Sequence, residues 1–306
     1  MSNARIPGHL VLALLCAPLL AGGACEKKKP ADTGAITAMD RATTPAGPVD
    51  ETPLPNVDVS KLTGDRLKSF YKLIGSLNSP CGKGHNLRTS FLQDTSCKRA
   101  PFAVKYVASL LADEQSEDQA RQFYVDKYEK QQPKVTLDVS KAPRVGSEDA
   151  PVRIVEFFDY QCGHCQAFYP VLEKVAETHK GKVVEYFMML PILEGRHPGS
   201  KSGAQAAIAA HAQGKFKEMH RKLFESGGAL DKASVLRYAK ELGLDVAKFE
   251  ADYTAAAVQV ASDEKQAETL GAHSTPTVYF NERLYEGPQH PDYIGLWIDE
   301  EIAVNR

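Results

Sequence analysis

Two cysteines separated by two residues form the motif of this chain with the clearest chemistry. Cys162 and Cys165 follow the apolar run Val152–Phe158, which is typical of a buried strand. The residues after them have helical periodicity, so Cys162 is predicted at a helix N-terminus. Unpaired backbone N–H groups and the positive end of the helix dipole favour a thiolate there, and the thiolate is the nucleophile of thiol–disulfide exchange.

The positions of the two thiols predict different roles. Cys162, at the helix end, should attack a disulfide of a partner protein or be attacked by a partner's thiolate, which gives a mixed disulfide. Cys165, one turn further in, should resolve that mixed disulfide. Protonated His164 would make Cys162 a better leaving group and the couple more oxidising. Half of a zinc site is the alternative, but no second cysteine pair has matching spacing. We therefore expect no metal, and no cofactor besides a redox-active Cys162–Cys165 disulfide.

An apolar run near the N-terminus predicts export. Leu10–Leu20 follows a basic residue and precedes small residues, so 1–24 is typical of a secretory signal peptide. Cys25 lies where bacterial lipoproteins carry their lipid-accepting cysteine, although Gly22 replaces the usual leucine. Ordinary cleavage after Ala24, which gives a soluble secreted protein, is the alternative. Export places the remaining cysteines in an oxidising compartment.

Composition and patterning divide the rest of the chain into three parts. Hydrophobic residues make up 43% of the 306, and 37 basic side chains balance 39 acidic ones. This hydrophobic fraction is enough for a packed core. The near balance of charge lacks the basic excess that is typical of a nucleic-acid-binding protein. Residues 25–59 are proline-rich and predict a flexible tether. Residues 60–132 predict a small all-α domain, and 133–306 predict an α/β domain with a helical insert at about 199–270.

The small domain is predicted to contain three helices and a disulfide. The helices are Asp65–Leu77, one that begins near Pro101, and one opened by a capping-box pattern at Ser116. Cys81 and Cys97 bracket the loop between the first two helices. A structural disulfide there would stabilise the domain by about 3 kcal/mol in the chain-entropy model. A second redox couple that exchanges with the main site is the alternative.

The α/β part has the element order βαβ, helical insert, ββα. Its predicted elements are a strand at Val152–Phe158, a helix at Cys162–Lys180, strands at Val183–Leu190, Thr277–Phe280 and Arg283–Glu286, and a closing helix at Tyr293–Ile302. Val135–Val139 also alternates in hydrophobicity, as strands do.

The segment Phe157–Cys165 resembles the active-site segment of the DsbA-like branch of the thioredoxin fold. The resemblance covers roughly Val135–Ile302, and it implies three further site residues. Glu156 falls where the family has a buried acid that relays protons to the resolving cysteine. Pro276 falls at the cis-proline beside the cysteines, and the backbone of Thr275 falls where substrate chains pair as an added strand. From the residues alone, Glu156 could instead face solvent and Pro276 could be trans.

The resemblance implies an exported protein thiol–disulfide oxidoreductase with an α/β, thioredoxin-like fold. Its disulfide would accept electrons from the cysteines of newly exported proteins, and a membrane partner of the DsbB or vitamin K epoxide reductase type would reoxidise it. A disulfide reductase or isomerase, for example in cytochrome c maturation, is the first alternative, and a non-catalytic binding module is the second. We expect the protein in the bacterial cell envelope, facing the periplasm and anchored at Cys25.

Labelled palmitate supplied to a bacterium that expresses the whole chain tests this anchor. The wild type and Cys16→Ser should incorporate the label and sediment with membranes, because both retain the thiol of Cys25. Cys25→Ser should do neither. A wild type without label in the soluble fraction would contradict the anchor and support ordinary cleavage.

Overall fold

The computed structural model describes residues 48–130, 133–191 and 195–305. These residues belong to one compact unit. The predicted signal peptide, Cys25 and the first part of the predicted tether lie outside them. Within the described ranges, no helix has the length and apolar character needed to cross a bilayer.

The N-terminal part of the described chain is helical. It contains α1 (Asp65–Ser76), α2 (Leu87–Gln93), α3 (Ala100–Ala112), α4 (Glu117–Tyr124) and a π-helical turn (Val125–Glu129). The predictions of α1, α3 and α4 are confirmed, and Ser116 and Gln119 form the predicted capping box at the start of α4. The helix α2 was not predicted, because seven residues are too few to show a helical period. The Asn86 side chain caps it by accepting a hydrogen bond from Thr89 N at 2.9 Å.

Cys81 and Cys97 form a disulfide in this helical part. The pairing is the predicted one, but the segment that it closes contains α2 and is not a plain loop. Cys97 is buried and Cys81 is half-buried. The disulfide therefore holds the segments on either side of α2 together.

The packed chain begins earlier than predicted, inside the segment expected to be a flexible tether. Leu54 is buried in the core formed by α1 and α3. The Arg88 guanidinium contacts the Asp50 carboxylate at 2.9 Å and donates to the Thr52 carbonyl at 2.7 Å. The prediction that the tether extends to residue 59 is therefore wrong for these residues, because one leucine and one buried arginine suffice to hold them.

The α/β part has the predicted order of elements, preceded by a short strand, Arg144–Val145, that was not predicted. Its strands are β1 (Arg144–Val145), β2 (Val152–Phe158), β3 (Val183–Met189), β4 (Thr277–Phe280) and β5 (Arg283–Leu284). Its helices are α5 (Gly163–Thr178), α6 (Ser200–His211), α7 (Phe216–Glu225), α8 (Lys232–Glu241), α9 (Val246–Ala255), α10 (Ala257–Leu270) and α11 (Pro291–Val304). Val135–Val139 forms no strand, although Leu137 is buried against the sheet.

The strands form one mixed sheet in the order β1-β3-β2-β4-β5. β2 and β3 are parallel, and every other neighbouring pair is antiparallel. Helices α5 and α11 pack on one face, and α10 packs on the other. The first four helices of the insert, α6–α9, pack against the end of the sheet where β2 leads into α5. This architecture confirms the predicted α/β fold.

The last helix, α11, also belongs to the core of the helical part. Tyr293 is buried among α1, α3 and α4 residues. The fully buried carboxylate of Glu300 contacts Lys127 Nζ at 2.7 Å and Arg99 Nη1 at 2.6 Å. A buried carboxylate needs such partners, since removing it from water is costly. The two predicted domains therefore share an apolar and an ionic contact.

The Cys81–Cys97 disulfide is expected to be structural. The Cys81→Ser, Cys97→Ser double variant should lose about 2–4 kcal/mol of unfolding free energy, because the unfolded chain is no longer constrained. Its exchange activity through Cys162 should stay close to that of the wild type. Denaturant unfolding and a peptide-oxidation assay give the two readouts. A trapped disulfide between Cys162 and either cysteine would show an electron relay instead.

Candidate active site

Cys162 lies at the junction of the central strand and the following helix. β2 ends at Phe158, and after a tight turn Cys162 takes the N-cap position of α5. The Asp159 carbonyl accepts a hydrogen bond from Cys162 N at 3.1 Å, which closes this turn. Cys162 is half-buried, so its sulfur remains within reach of a partner. The geometry is that of a thiol at a helix N-terminus, where a thiolate is favoured.

The loop before β4 lies against this cysteine. The Cys162 thiol donates to the carbonyl oxygen of Thr275 at 3.4 Å. The following peptide bond, Thr275–Pro276, is cis, as the resemblance implied. The structure thus brings together residues separated by 113 positions in the sequence.

Cys165 lies below Cys162 and is inaccessible to solvent. Both cysteines are free thiols, and Cys165 is fully buried. Burial raises the pKa of Cys165 well above its usual range, and the charge of Glu156 raises it further. The backbone of Asp159 and the side chain of Thr275 oppose this shift without reversing it. Cys165 is therefore a protonated thiol near neutrality and needs a proton acceptor to become a nucleophile.

Glu156, the carboxyl group whose charge acts on Cys165, is the candidate for that acceptor. It lies in the middle of β2, opposite Phe187 on one side and Val278 on the other. It is buried, which rules out the solvent-facing alternative. Burial raises its pKa well above the ordinary value, and the charge of Glu185 adds to the shift. Its role as a proton relay stays a prediction.

A buried polar network supports the turn before Cys162. The Asp159 carboxylate accepts from Gln161 N at 2.8 Å, contacts His197 Nδ1 at 2.9 Å and accepts from the Ser200 hydroxyl. These contacts join the active-site turn to the start of α6. The contact with Gln161 is local, whereas nothing in the spacing of His197 and Ser200 predicts that they meet Asp159.

A second buried pair lies behind the turn. The Tyr160 hydroxyl and His220 Nδ1 are 2.8 Å apart, and aromatic rings surround the histidine. Burial lowers the pKa of His220 to about 3, so the ring is neutral and shares one hydrogen bond with Tyr160. This pair fixes the insert against the active-site turn.

The last of the predicted site residues is on the surface. His164 is exposed in the first turn of α5.

Over the described ranges, no group of three or more histidine, cysteine or acidic side chains is arranged to hold a metal ion.

Comparison with known proteins places this site in a family. A family model described as thioredoxin matches residues 138–300, which include both cysteines and the cis-proline. Two similar solved structures are a thioredoxin-like oxidoreductase from Silicibacter pomeroyi DSS-3 and oxidised BdbD from Bacillus subtilis. The first is 29% identical to this chain, with a TM-score of 0.48, and the match covers 54% of this chain and 96% of that protein. The second is 26% identical, with a TM-score of 0.49, and the match covers 56% of this chain and 96% of that protein.

The curated relatives are much longer proteins. The Na(+)/H(+) antiporter NhaA 1 of Mycobacterium sp. (strain KMS) is 37% identical over 147 residues, or 47% of this chain and 24% of that protein. NhaA 3 of Salinispora tropica is 34% identical over 175 residues, or 56% of this chain and 26% of that protein. The chain thus spans about a quarter of the length of these relatives.

Substitution of each cysteine should give different results. Cys165→Ser should accumulate mixed disulfides with a disulfide-bonded peptide, because the Cys162 thiolate attacks that disulfide, displaces one peptide thiolate, and nothing resolves the product. Cys162→Ser should trap little, since the remaining thiol is buried. Non-reducing gels and mass spectrometry measure the trapped species. Full exchange activity in both variants would show that the site is assigned wrongly.

Proposed function

Because the chain belongs to the thioredoxin family, we propose that it is a thiol–disulfide oxidoreductase that acts through Cys162 and Cys165. One observation carries the proposal. The half-buried sulfur of Cys162 lies at a helix N-terminus, 3.4 Å from the Thr275 carbonyl, while Cys165 is fully buried. The accessible thiol can thus form the mixed disulfide with a partner, and the protected one is left to resolve it.

The substrate would be a protein segment that carries cysteines. A substrate thiolate attacks Cys162 Sγ, the Cys162–Cys165 bond breaks, and Cys165 takes the electron pair and then a proton. The second thiolate of the substrate then attacks the substrate sulfur that is bonded to Cys162. A disulfide forms within the substrate, and Cys162 is released as a thiolate. The substrate loses two electrons and the cysteine pair gains them. An extended substrate chain would pair with the backbone at Thr275.

We propose that exchange runs mainly in the oxidising direction. The predicted leader supports a location in the cell envelope, where disulfides persist, with Cys25 as the proposed anchor. His164, exposed in the first turn of α5, supports this direction because a protonated ring there would stabilise the Cys162 thiolate and so the reduced state. A membrane oxidase of the DsbB or vitamin K epoxide reductase type would then regenerate the disulfide.

Equilibration of the Cys162–Cys165 pair with glutathione buffers tests the direction. We expect a potential nearer to the roughly −120 mV of DsbA than to the roughly −270 mV of thioredoxin. His164→Ala should be more reducing than the wild type. Lys240→Ala, which removes an exposed charge in α8, should be unchanged. A wild-type potential near that of thioredoxin would favour the reductase alternative, and an unchanged potential in His164→Ala would contradict the role given to this histidine.

A further inference from the structure

A cavity of about 250 Å³ lies between the sheet and the helices α5 and α7. The acid of the active site, Glu156, lines it, and so does a second buried carboxyl group, that of Glu185. Exposed residues at its edge include Glu177 and Lys180. The cavity therefore connects the buried acid with the outer surface beside α5.

Glu185 is the one charged residue of the apolar strand β3. It pairs in register with Ile154, while Glu156 pairs with Phe187. Side chains two residues apart in a strand point to the same face, so the two glutamates are diagonal neighbours on one face of the sheet. Glu185 is only 6% exposed, and its buried Oε1 has no hydrogen-bond partner in the described structure. Such an atom calls for an explanation, because buried polar atoms are nearly always paired.

Few charges of the surrounding elements stabilise an ionised Glu185. The titratable groups that line the cavity with it are Glu156 of β2, Tyr169, Glu173 and Glu177 of α5, Lys180 after α5, and Lys217 and His220 of α7. The neighbouring β1 contributes only Val145 to the cavity, and Gly146 follows it.

The titration of Glu185 suits transfer of a proton near neutrality. Burial raises its pKa to about 7, Lys217 opposes the shift, and Glu173 adds to it. Below that pH the carboxyl group holds a proton, and above it the group is ionised. His220 is neutral throughout, because burial lowers its pKa to about 3.

We propose that Glu185 holds the proton that reloads Glu156 from the cavity during disulfide exchange. It is a positioning residue, since it reaches the thiols only through Glu156. The inference rests on the proposed function and adds a second carboxyl group to it.

The proton moves in three balanced steps. When a substrate thiolate breaks the Cys162–Cys165 bond, Cys165 leaves with the electron pair and takes a proton from Glu156. The Glu156 carboxylate then takes a proton from Glu185. Glu185 regains one from solvent through the cavity. When the pair is reoxidised, the proton of Cys165 returns by the same groups in reverse.

The pH profile of disulfide reduction by a dithiol peptide tests the proposal, with the oxidised full-length protein. At pH 6 the wild-type carboxyl group and the amide of Glu185→Gln are both neutral, so a difference in rate there reports proton transfer and not charge. We expect Glu185→Gln to be about tenfold slower at pH 6, below the roughly 10²–10⁴-fold of direct general acid–base catalysis. The deficit should disappear above pH 8, where wild-type Glu185 is ionised and has no proton to give.

Two variants complete the comparison. Glu185→Asp keeps a carboxyl group and should recover most of the rate at pH 6. Glu177→Gln removes an exposed carboxyl group from the edge of the same cavity and should match the wild type. Equal rates for Glu185→Gln and wild type at every pH would overturn the inference.

The failures of the two proposals are distinguishable. A wild type that does not exchange disulfides with the peptide refutes the proposed function itself. If Glu185→Gln does not fold, ¹³C NMR titration of the Glu185 carboxyl carbon in the wild type replaces the kinetic test. A midpoint near 7 supports the inference, and a midpoint in the ordinary range of an exposed glutamate overturns it.

Discussion

The pairing of β2 on both of its edges is the constraint on which the site depends. β2 is paired with β3 along its whole length and with β4 from Ile154 to Phe157. This fixes the point at which the chain leaves the sheet, and with it the start of α5 and the position of Cys162. The same pairing brings the loop before β4, with Thr275 and Pro276, to the thiol. Loss of either neighbour would leave the cysteines without a defined partner surface.

A second consequence of this pairing is that polar groups on β2 and β3 have little access to water. Glu156 and Glu185 lie in strands that are buried almost throughout. An ionised carboxylate is poorly solvated there, so burial raises the pKa of both groups. Burial likewise keeps Cys165 protonated. The sheet thus determines where the protons of the site reside, besides holding the thiols in place.

The helical part is attached to the sheet through buried charge. Glu300 of α11 is paired with Lys127 and Arg99, and the Lys127 ammonium lies 3.8 Å from the centre of the Trp297 ring. Removing one member of such a cluster leaves the others buried and unpaired, which costs about 3–5 kcal/mol. These contacts restrict the orientation of the helical part, because charge pairs, unlike apolar contacts, have preferred geometries.

Most of the fold and the two cysteines were predictable from the sequence, and the family match confirms the thioredoxin-like fold. The signals were local: apolar runs for β2 and β3, a helical period for α1 and α3, and the Cys-x-x-Cys spacing. The seven residues of α2 are too few for such a signal, and the alternation of Val135–Val139 reflects burial of Leu137 without strand pairing.

The sequence by itself determined which residues can do chemistry, because residue type and local spacing carry that information. Only the tertiary structure decided which of them meet. The contact of Cys162 with Thr275, the contact of Asp159 with His197, and the placement of Glu185 beside Glu156 depend on strand register and on loop closure over long separations. Each glutamate is the only acidic residue of an apolar strand, and this could be seen in the sequence. Their common face and shared cavity follow from the pairing of β2 with β3, which no local pattern specifies.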